Sequence, residues 1–559
     1  MLRRALSDVL LAWLVLSLVT TIPYLIALAR TPSGTVFTGV ITAQDDTFSY
    51  LAWIKQAAGG HILMRDLFTS EQQTARFFLP LWIALGWTAN VTGLPVAIVF
   101  HAARILSSLL VLLAAWAVGR CVMKSRTRLR FLVWMVGFSA GWGWVVFAAG
   151  DLISILLGKS GVHGYKMGTM PVDINMPEAT VFRSAFCQVH MNVGAALICF
   201  ALVFAFRAIF KRNRTYALFA GLLASVLAVV HPYEIVVTTV VACAILAACF
   251  VFRPAGTTAL PRMDLLWIAA AFFAGNLPGL GYLLYLRGVD TVLREWLSTM
   301  STLSPNPFQY LLGFGFLVAL AIAGGIQLWQ GGKLAGQLLL VWIVVQSLLL
   351  YAPFSFQRRL VEGLQIPLCA AAASGVFWML GRIHTRPRWR LRRRLLLSSV
   401  VVLCSLTSIG FIIGSAAGLG EPDPRRYLDA SLVDSLKWLG DNAAPDSQVM
   451  SSYMTGNVVP TYSGLGVFLG HYDQTIHSGQ KAEEVAAFYS GWMTDSEQRA
   501  FFERNHLTYC IYGPFEHALS ANFAQPGFLQ LVHGSQGVDI YRVNIAEPGV
   551  PAMKVNDGK

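Results

Sequence analysis

The sequence predicts an all-α polytopic membrane bundle of about eleven spans, followed by a smaller soluble α/β domain. Three observations carry this: the 559 residues are 55% hydrophobic and only 13% charged, apolar runs near the roughly 20 residues that cross a bilayer recur along the chain, and the composition turns polar after Gly420. Mean hydropathy is +0.58. The net charge of +13 does not point to nucleic acid, because the positive residues sit in short loops between apolar runs, where an orientation signal belongs. The eight cysteines include no CxxC pair and lie mostly inside apolar runs, so they read as small core residues.

Arg3 and Arg4 precede the apolar run Val9–Ala29. Its end, Ala27-Leu28-Ala29, is similar to a secretory cleavage site, but the run exceeds the roughly 7–15 residues of a signal core, so an uncleaved first span is expected. With the two arginines cytoplasmic, the loop that follows lies outside. That loop opens with Asp45-Asp46 and continues through Phe48, Tyr50 and Trp53 to Asp66 and Glu71. Paired carboxylates where a chain leaves the bilayer form a candidate acid/base or divalent-cation site. The alternative is that one of them caps a helix over 47–58.

The run 77–90 is short and contains Pro80, so it reads as a surface helix, with 95–118 as the second span. Arg120, Lys124, Arg126, Arg128 and Arg130 then fall in the cytoplasm, and counting 77–90 as a span would put them outside. Further spans are expected near 131–150, 189–209, 216–232, 235–252, 265–286, 308–329, 335–352, 361–381 and 395–416. Cytoplasmic loops receive Lys211 to Arg214, Arg253, Arg262, Lys333 and the arginine-rich block 382–394, whose first use is as a topology anchor that also meets anionic lipid headgroups. Acidic residues are distributed the other way, leaving an acidic outer face.

Several residues inside or beside spans are candidates for binding. Arg104 lies within the second span and should face the bundle. His190 begins the fourth span near Arg183, and His231-Pro232-Tyr233-Glu234 ends the fifth, where an acid pairs with a cation or faces a polar cavity. Arg358 and Arg359 lie outside, against the charge trend, and a guanidinium matches a pair of phosphate oxygens; an ion pair with Glu362 is the alternative.

After residue 420, Pro422-Asp423-Pro424 breaks the helical run. Helices are expected over 427–440, 482–489 and 494–505, the last with a Thr494–Glu497 capping box, and strands over 448–453, 466–469, 507–512 and 537–543. His471, Asp473 and His477 lack zinc spacing and read as a surface loop. The expected organisation is a membrane domain over 1–420, with the outer loop 30–95 as its catalytic part, and an external domain over 421–559.

The order of these features resembles the C-type integral-membrane glycosyltransferases, the superfamily of the protein O-mannosyltransferases, the lipid A aminoarabinose transferase and the catalytic subunit of oligosaccharyltransferase. The matching features are one span, an outer loop opening with Asp45-Asp46, the aromatic helix of Phe48, Tyr50 and Trp53, the surface helix opened by Phe78-Leu79-Pro80-Leu81-Trp82, a span with Arg104, and an external C-terminal domain. The sequence departs in having Asp-Asp where Asp-Glu is frequent, and His231-Pro232-Tyr233-Glu234 where the aminoarabinose transferase has a lysine-containing turn. The resemblance implies transfer of a sugar from a polyprenyl-phosphate carrier to an envelope lipid, glycan or protein on the outer side of the cell membrane. It also implies Asp45 and Asp46 as catalytic residues, Asp45 foremost. Substrate contacts are expected from Tyr50, Arg104, His190, His231, Glu234, Arg358 and Arg359. A transporter or flippase is the competing class; it would show inverted repeats, and the sequence has none.

Overall fold

The computed structural model describes residues 2–156, 170–251, 261–382, 389–420 and 423–545. Arg253 and the middle of the 382–394 block lie outside the described residues. The chain opens with α1 (Leu2–Ala29), β1 (Thr35–Phe37), α2 (Gln44–Ala58), α3 (Pro80–Thr92) and α4 (Val96–Val122). Helix α3 forms where the short helix was expected, with Pro80 at its first position, where a missing N–H costs nothing. It crosses α2 at contact distance because residue 86 is glycine: a Cβ there would stand 2.3 Å from the Ala57 side chain.

The bundle continues through α5 (Arg126–Phe138), α6 (Gly143–Leu156), α7 (Val172–Asn175), α8 (Val181–Cys187), α9 (Val189–Lys211), α10 (Arg214–Val230), α11 (Glu234–Val251), α12 (Arg262–Val289) and α13 (Thr291–Thr299). It ends with α14 (Pro307–Phe314), α15 (Phe316–Gln330), α16 (Leu334–Leu349), α17 (Gln365–Arg382), α18 (Trp389–Cys404) and α19 (Leu406–Ala417). Among the described residues each expected span falls largely on helix, but the count of eleven is not reached. Among the described residues, five helices are long and apolar enough to cross a membrane, and three bent pairs (α5 with α6, α14 with α15, α18 with α19) bring the total to at most eight.

The remaining three expected spans, α10, the 234–250 part of α11, and α16, are only 10–17 residues long. Hydropathy counts apolar side chains and does not see where a helix is made to stop. The Asn213 side chain caps α10 at one end, and Pro232 bars its continuation at the other. At about 1.5 Å per residue such helices fall short of the roughly 30 Å apolar layer.

The C-terminal part comprises β2 (Tyr427–Asp429), α20 (Ala430–Asn442), β3 (Gln448–Met450), α21 (Tyr453–Tyr462), β4 (Gly466–Val467), α22 (Ser478–Tyr489), α23 (Asp495–Arg504), β5 (Tyr509–Tyr512), β6 (Leu529–Ser535) and β7 (Val538–Val543). Strand order in the sheet is β4-β3-β5-β7-β6, with β3 parallel to β4 and β5, and β7 antiparallel to β5 and β6. The Thr494–Glu497 capping box is formed. Several elements of this part escape the sequence reading, among them β2, which falls inside the helix expected over 427–440. Edge strand β6 is largely exposed and bulged near Leu531, so it lacks a clean alternation, and α21 begins where a strand was expected to end.

This part packs against the loop segment that follows α1. Strand β1 pairs antiparallel with β2, the Val467 amide donates to the Leu67 carbonyl at 2.9 Å, and Lys481 Nζ lies 2.8 Å from Glu71 Oε1. Leu51 and Ile54 of α2 share one apolar core with Leu432, Leu436, Val449 and Val467. Burial of that shared face, at about 25 cal/mol per Å² of apolar area, holds α2 between bundle and sheet.

Candidate active site

Helix α2 starts after Ala43, whose left-handed φ of 51° replaces a capping side chain. Neither aspartate therefore caps the helix. Asp45 and Asp46 both sit in its first turn, where a carboxylate is favoured by the helix dipole, and one residue of helix turns them to different faces. Asp45 Oδ2 accepts from the Tyr453 hydroxyl at 2.9 Å, and its Oδ1 lies 3.9 Å from Arg425 Nη1. Asp46 Oδ1 lies 3.4 Å from His471 Nε2, and its side chain keeps 45% of its surface open.

Burial works to raise the Asp46 carboxyl, but the His471 hydrogen bond and charge, with the fields of Arg359 and His190, outweigh it and hold Asp46 below the usual carboxylate range. Burial works to lower His471, and the Asp46 bond and charge, with Asp473 and Asp45, outweigh it and hold the imidazole above its ordinary value. His471 is thus buried against Asp46, which corrects the expectation of a surface loop. Of its expected companions, Asp473 donates its backbone amide to His471 Nδ1, and His477 instead pairs with Glu295 at 2.9 Å.

These two shifts set a pH window. Asp46, depressed, contributes stability that is present above the ordinary Asp value and lost as pH falls through its folded value; His471, raised, contributes stability that is full below its ordinary value and lost as pH rises through its folded value. The pair therefore contributes most between about pH 4 and about pH 6.5. The difference in thermal midpoint between wild type and His471→Gln is expected to be larger at about pH 5.5 than at about pH 9. A difference independent of pH would show that the pair does not titrate as placed.

One turn beyond Asp46, the Tyr50 hydroxyl approaches His190 Nε2 at 3.5 Å, with the Tyr50 ring stacked on Trp82 at 5.0 Å. His190 in turn stands edge-on to His231 at 4.9 Å. His231 Nδ1 is 2.8 Å from Glu362 Oε2 and 3.6 Å from Glu234 Oε1. Near this cluster, Arg358 Nε donates to Glu178 Oε1 at 3.1 Å, and Arg359 Nη1 lies 3.8 Å from the same oxygen. The turn that carries both arginines is fixed from behind. Gln346 Nε2 donates to the Leu360 and Glu362 carbonyls at 3.0 and 2.7 Å, while its Oε1 accepts from Trp342 Nε1 at 2.7 Å.

The fold thus gathers Asp46, Tyr50, His190, His231, Glu234, Arg358 and Arg359 around one polar interior, with Asp45 at its edge. Arg104 is not part of this ring. Its nitrogens donate to the Ala185 carbonyl at 2.6 Å, to Thr20 and Thr21, and to His101, and its guanidinium covers the Tyr24 ring at 4.9 Å. An expected substrate contact is therefore a cross-link between α1, α4 and α8, its donors spent on the protein itself.

The alternative pairing of the arginines with Glu362 does not form either, since Glu178 takes both. The expected cation between Asp45 and Asp46 gains no support from their placement, since each carboxylate has its own partners. Their carboxylates diverge, and among the described residues the side chains whose ligand atoms converge are His231, Glu234 and Glu362. Glu178, Glu362, His471, Tyr453 and Arg425 were missed as participants. Of these, Glu178 and Glu362 carried one legible signal, a carboxylate on the outer face beside an apolar run.

No protein-family model matches the sequence, and no curated protein is similar to it by sequence. The fold is similar to those of solved membrane glycosyltransferases. Among solved structures, the chain is similar to the apo oligosaccharyltransferase of Archaeoglobus fulgidus, with a TM-score of 0.53, 13% identity, and coverage of 89% of this chain and 69% of that one. It is similar to apo ArnT of Cupriavidus metallidurans, with a TM-score of 0.52, 11% identity and coverage of 97% and 99%. It is also similar to the mycobacterial arabinofuranosyltransferase AftD, with a TM-score of 0.50 and 13% identity, covering 95% of this chain and 42% of that one. At these identities the likeness is one of fold.

Proposed function

We propose that the protein is a membrane glycosyltransferase that moves a sugar from a polyprenyl-phosphate carrier to an acceptor hydroxyl or amide of an envelope lipid, glycan or protein, on the non-cytoplasmic side. The observation that carries this reading is one interior holding an open, anionic Asp46 opposite a pair of arginines that the fold has pinned in place. A second ArnT structure, with undecaprenyl phosphate bound and a TM-score of 0.50 to this chain, supports the donor class.

In this reading the acceptor O–H or N–H gives its proton to Asp46 while the acceptor atom bonds to the anomeric carbon. The bond from that carbon to the phosphate oxygen breaks with its electron pair on the oxygen, and the departing polyprenyl phosphate is held by Arg358 and Arg359. A depressed Asp46 is in the proton-accepting state throughout the neutral range. Asp45, tied to Tyr453 and Arg425, orients the turn. Tyr50 and His190 line the path between acid and arginines.

Purified protein given a series of polyprenyl-phosphate sugars is expected to release free polyprenyl phosphate from one of them when acceptor is present. Transport of the intact lipid-linked sugar across vesicles, with no bond broken, would favour a flippase instead.

The side of the membrane is tested separately. Arg126 pairs with Asp8 through contacts of 2.6 and 3.0 Å, which puts the N-terminal segment and the basic loop on one side. On intact cells, a membrane-impermeant thiol reagent is expected to label Gln480→Cys and His61→Cys but not Ser125→Cys. His61 is used because its neighbour Gly60 has φ 95°, where a cysteine would be strained. Labelling at 125 alone would invert the orientation.

A further inference from the structure

The triad His231, Glu234 and Glu362 takes no part in the step above and is more deeply buried than Asp46, Arg358 and Arg359. His231 is 6% exposed, Glu234 0% and Glu362 1%. Among the described residues, no side chain donates a hydrogen bond to either carboxylate, Glu362 having only the Ala195 amide beside it, and His231 Nδ1 has no partner in donor geometry although Glu362 Oε2 is 2.8 Å away. Arg359 acts on both glutamates through its field, but its nearest carboxylate is Glu178, which it shares with Arg358. Three carboxylates thus face two guanidinium groups, and the deficit falls on Glu234 and Glu362. An uncompensated buried ion costs several kcal/mol, so this pair must hold a cation or a proton.

Geometry favours a cation. The three ligand atoms lie within 4.8 Å of one another. The two distances from His231 Nδ1, 2.8 and 3.6 Å, bracket the roughly 3.3 Å edge of a tetrahedron with metal–ligand bonds of about 2.0–2.1 Å. The ligands are also pre-positioned. Gln346 holds the Glu362 carbonyl, and Glu362 Oε1 occupies the space above Gly194, where a Cβ would come within 2.1 Å. The His231 amide donates to the Leu227 carbonyl at 2.8 Å, closing α10, and Pro232 stiffens the turn that brings Glu234 round to the same point. One imidazole and two carboxylates suit a borderline ion such as zinc better than the all-oxygen preference of calcium or magnesium.

We propose that His231, Glu234 and Glu362 bind a divalent transition-metal ion of the zinc type, which joins the α10–α11 turn to the turn bearing Arg358 and Arg359. The ion neutralises the two glutamates and so leaves both arginines to an anionic ligand; that last consequence rests on the proposed donor class, whereas binding of the ion does not. The full-length protein is stripped with chelator, titrated with zinc and freed of excess, and its metal content is measured by mass spectrometry.

One zinc per chain is expected in the wild type, together with a rise in thermal midpoint on zinc addition. Glu234→Gln, Glu362→Gln and His231→Gln are each expected to lose both effects. Cobalt added to stripped wild type gives an independent reading that needs no variant, and visible absorption of a low-coordinate site is expected. Wild type that takes up neither zinc nor cobalt while remaining monodisperse would overturn the site and assign the glutamates a shared proton. These readouts do not depend on sugar transfer, so failure of the metal site and failure of the proposed reaction are told apart.

Discussion

Asp46→Asn is expected to lower turnover by about 10²–10⁴-fold with little change in donor affinity. The substitution keeps size and the hydrogen-bond distance to His471 but removes the ability to take a proton from the acceptor. Asp45→Asn is expected to do much less. Its amide oxygen still accepts from the Tyr453 hydroxyl, and the 3.9 Å approach of the half-exposed Arg425 belongs to the class of ion pairs that contribute about 0–1 kcal/mol. Turnover at saturating donor and acceptor, measured for both variants beside the wild type, orders the two acids. Near-normal rates in Asp46→Asn, or a larger loss in Asp45→Asn, would move the base to Asp45, the leading acid of the pair.

What the sequence alone could deliver follows from the range of the interactions involved. Helix α2, the surface helix α3 and the capping box of α23 were legible because periodicity, a leading proline and a Thr-x-x-Glu spacing act within a few residues. The aspartate pair was legible for the same reason: it sits one loop after a span. Which acid looks inward was not, because that is decided by Ala43 in the left-handed region and by His471, 425 positions further on.

Spacing also kept an alternative open at Glu362. Residues three or four apart share a face of an α-helix, which suggested a pair with Arg358 or Arg359. The segment 357–361 is instead a tighter 3-10 turn, and Glu362 leaves it with extended ψ of 131°, so its side chain swings to His231. Glu178, 180 residues away, fills the place it vacates. Arg104 was rightly expected to face the bundle, yet only the structure shows Ala185, Thr20 and Thr21 already occupying its donors.

The arginines give the second large effect, and its test must respect that Glu178 is buried. Arg359→Ala alone leaves the buried Glu178 with Arg358 as its one close cation, which weakens the charge balance of the interior, so lost binding would be mixed with lost folding. Combining Arg359→Ala with Glu178→Gln removes the stranded charge. The double variant is expected to fold and to bind the polyprenyl-phosphate sugar more weakly by roughly 1.5–3 kcal/mol, the contribution of a charge-assisted bond, or about 10- to 150-fold in dissociation constant. Glu178→Gln by itself is expected to tighten donor binding, because the carboxylate that competes with the phosphate for both guanidinium groups is gone. Direct titration with a labelled donor analogue measures all three proteins. A double variant that binds as tightly as Glu178→Gln alone would take phosphate recognition away from Arg359, and weaker binding in Glu178→Gln would make Glu178 a donor contact rather than a competitor for the arginines.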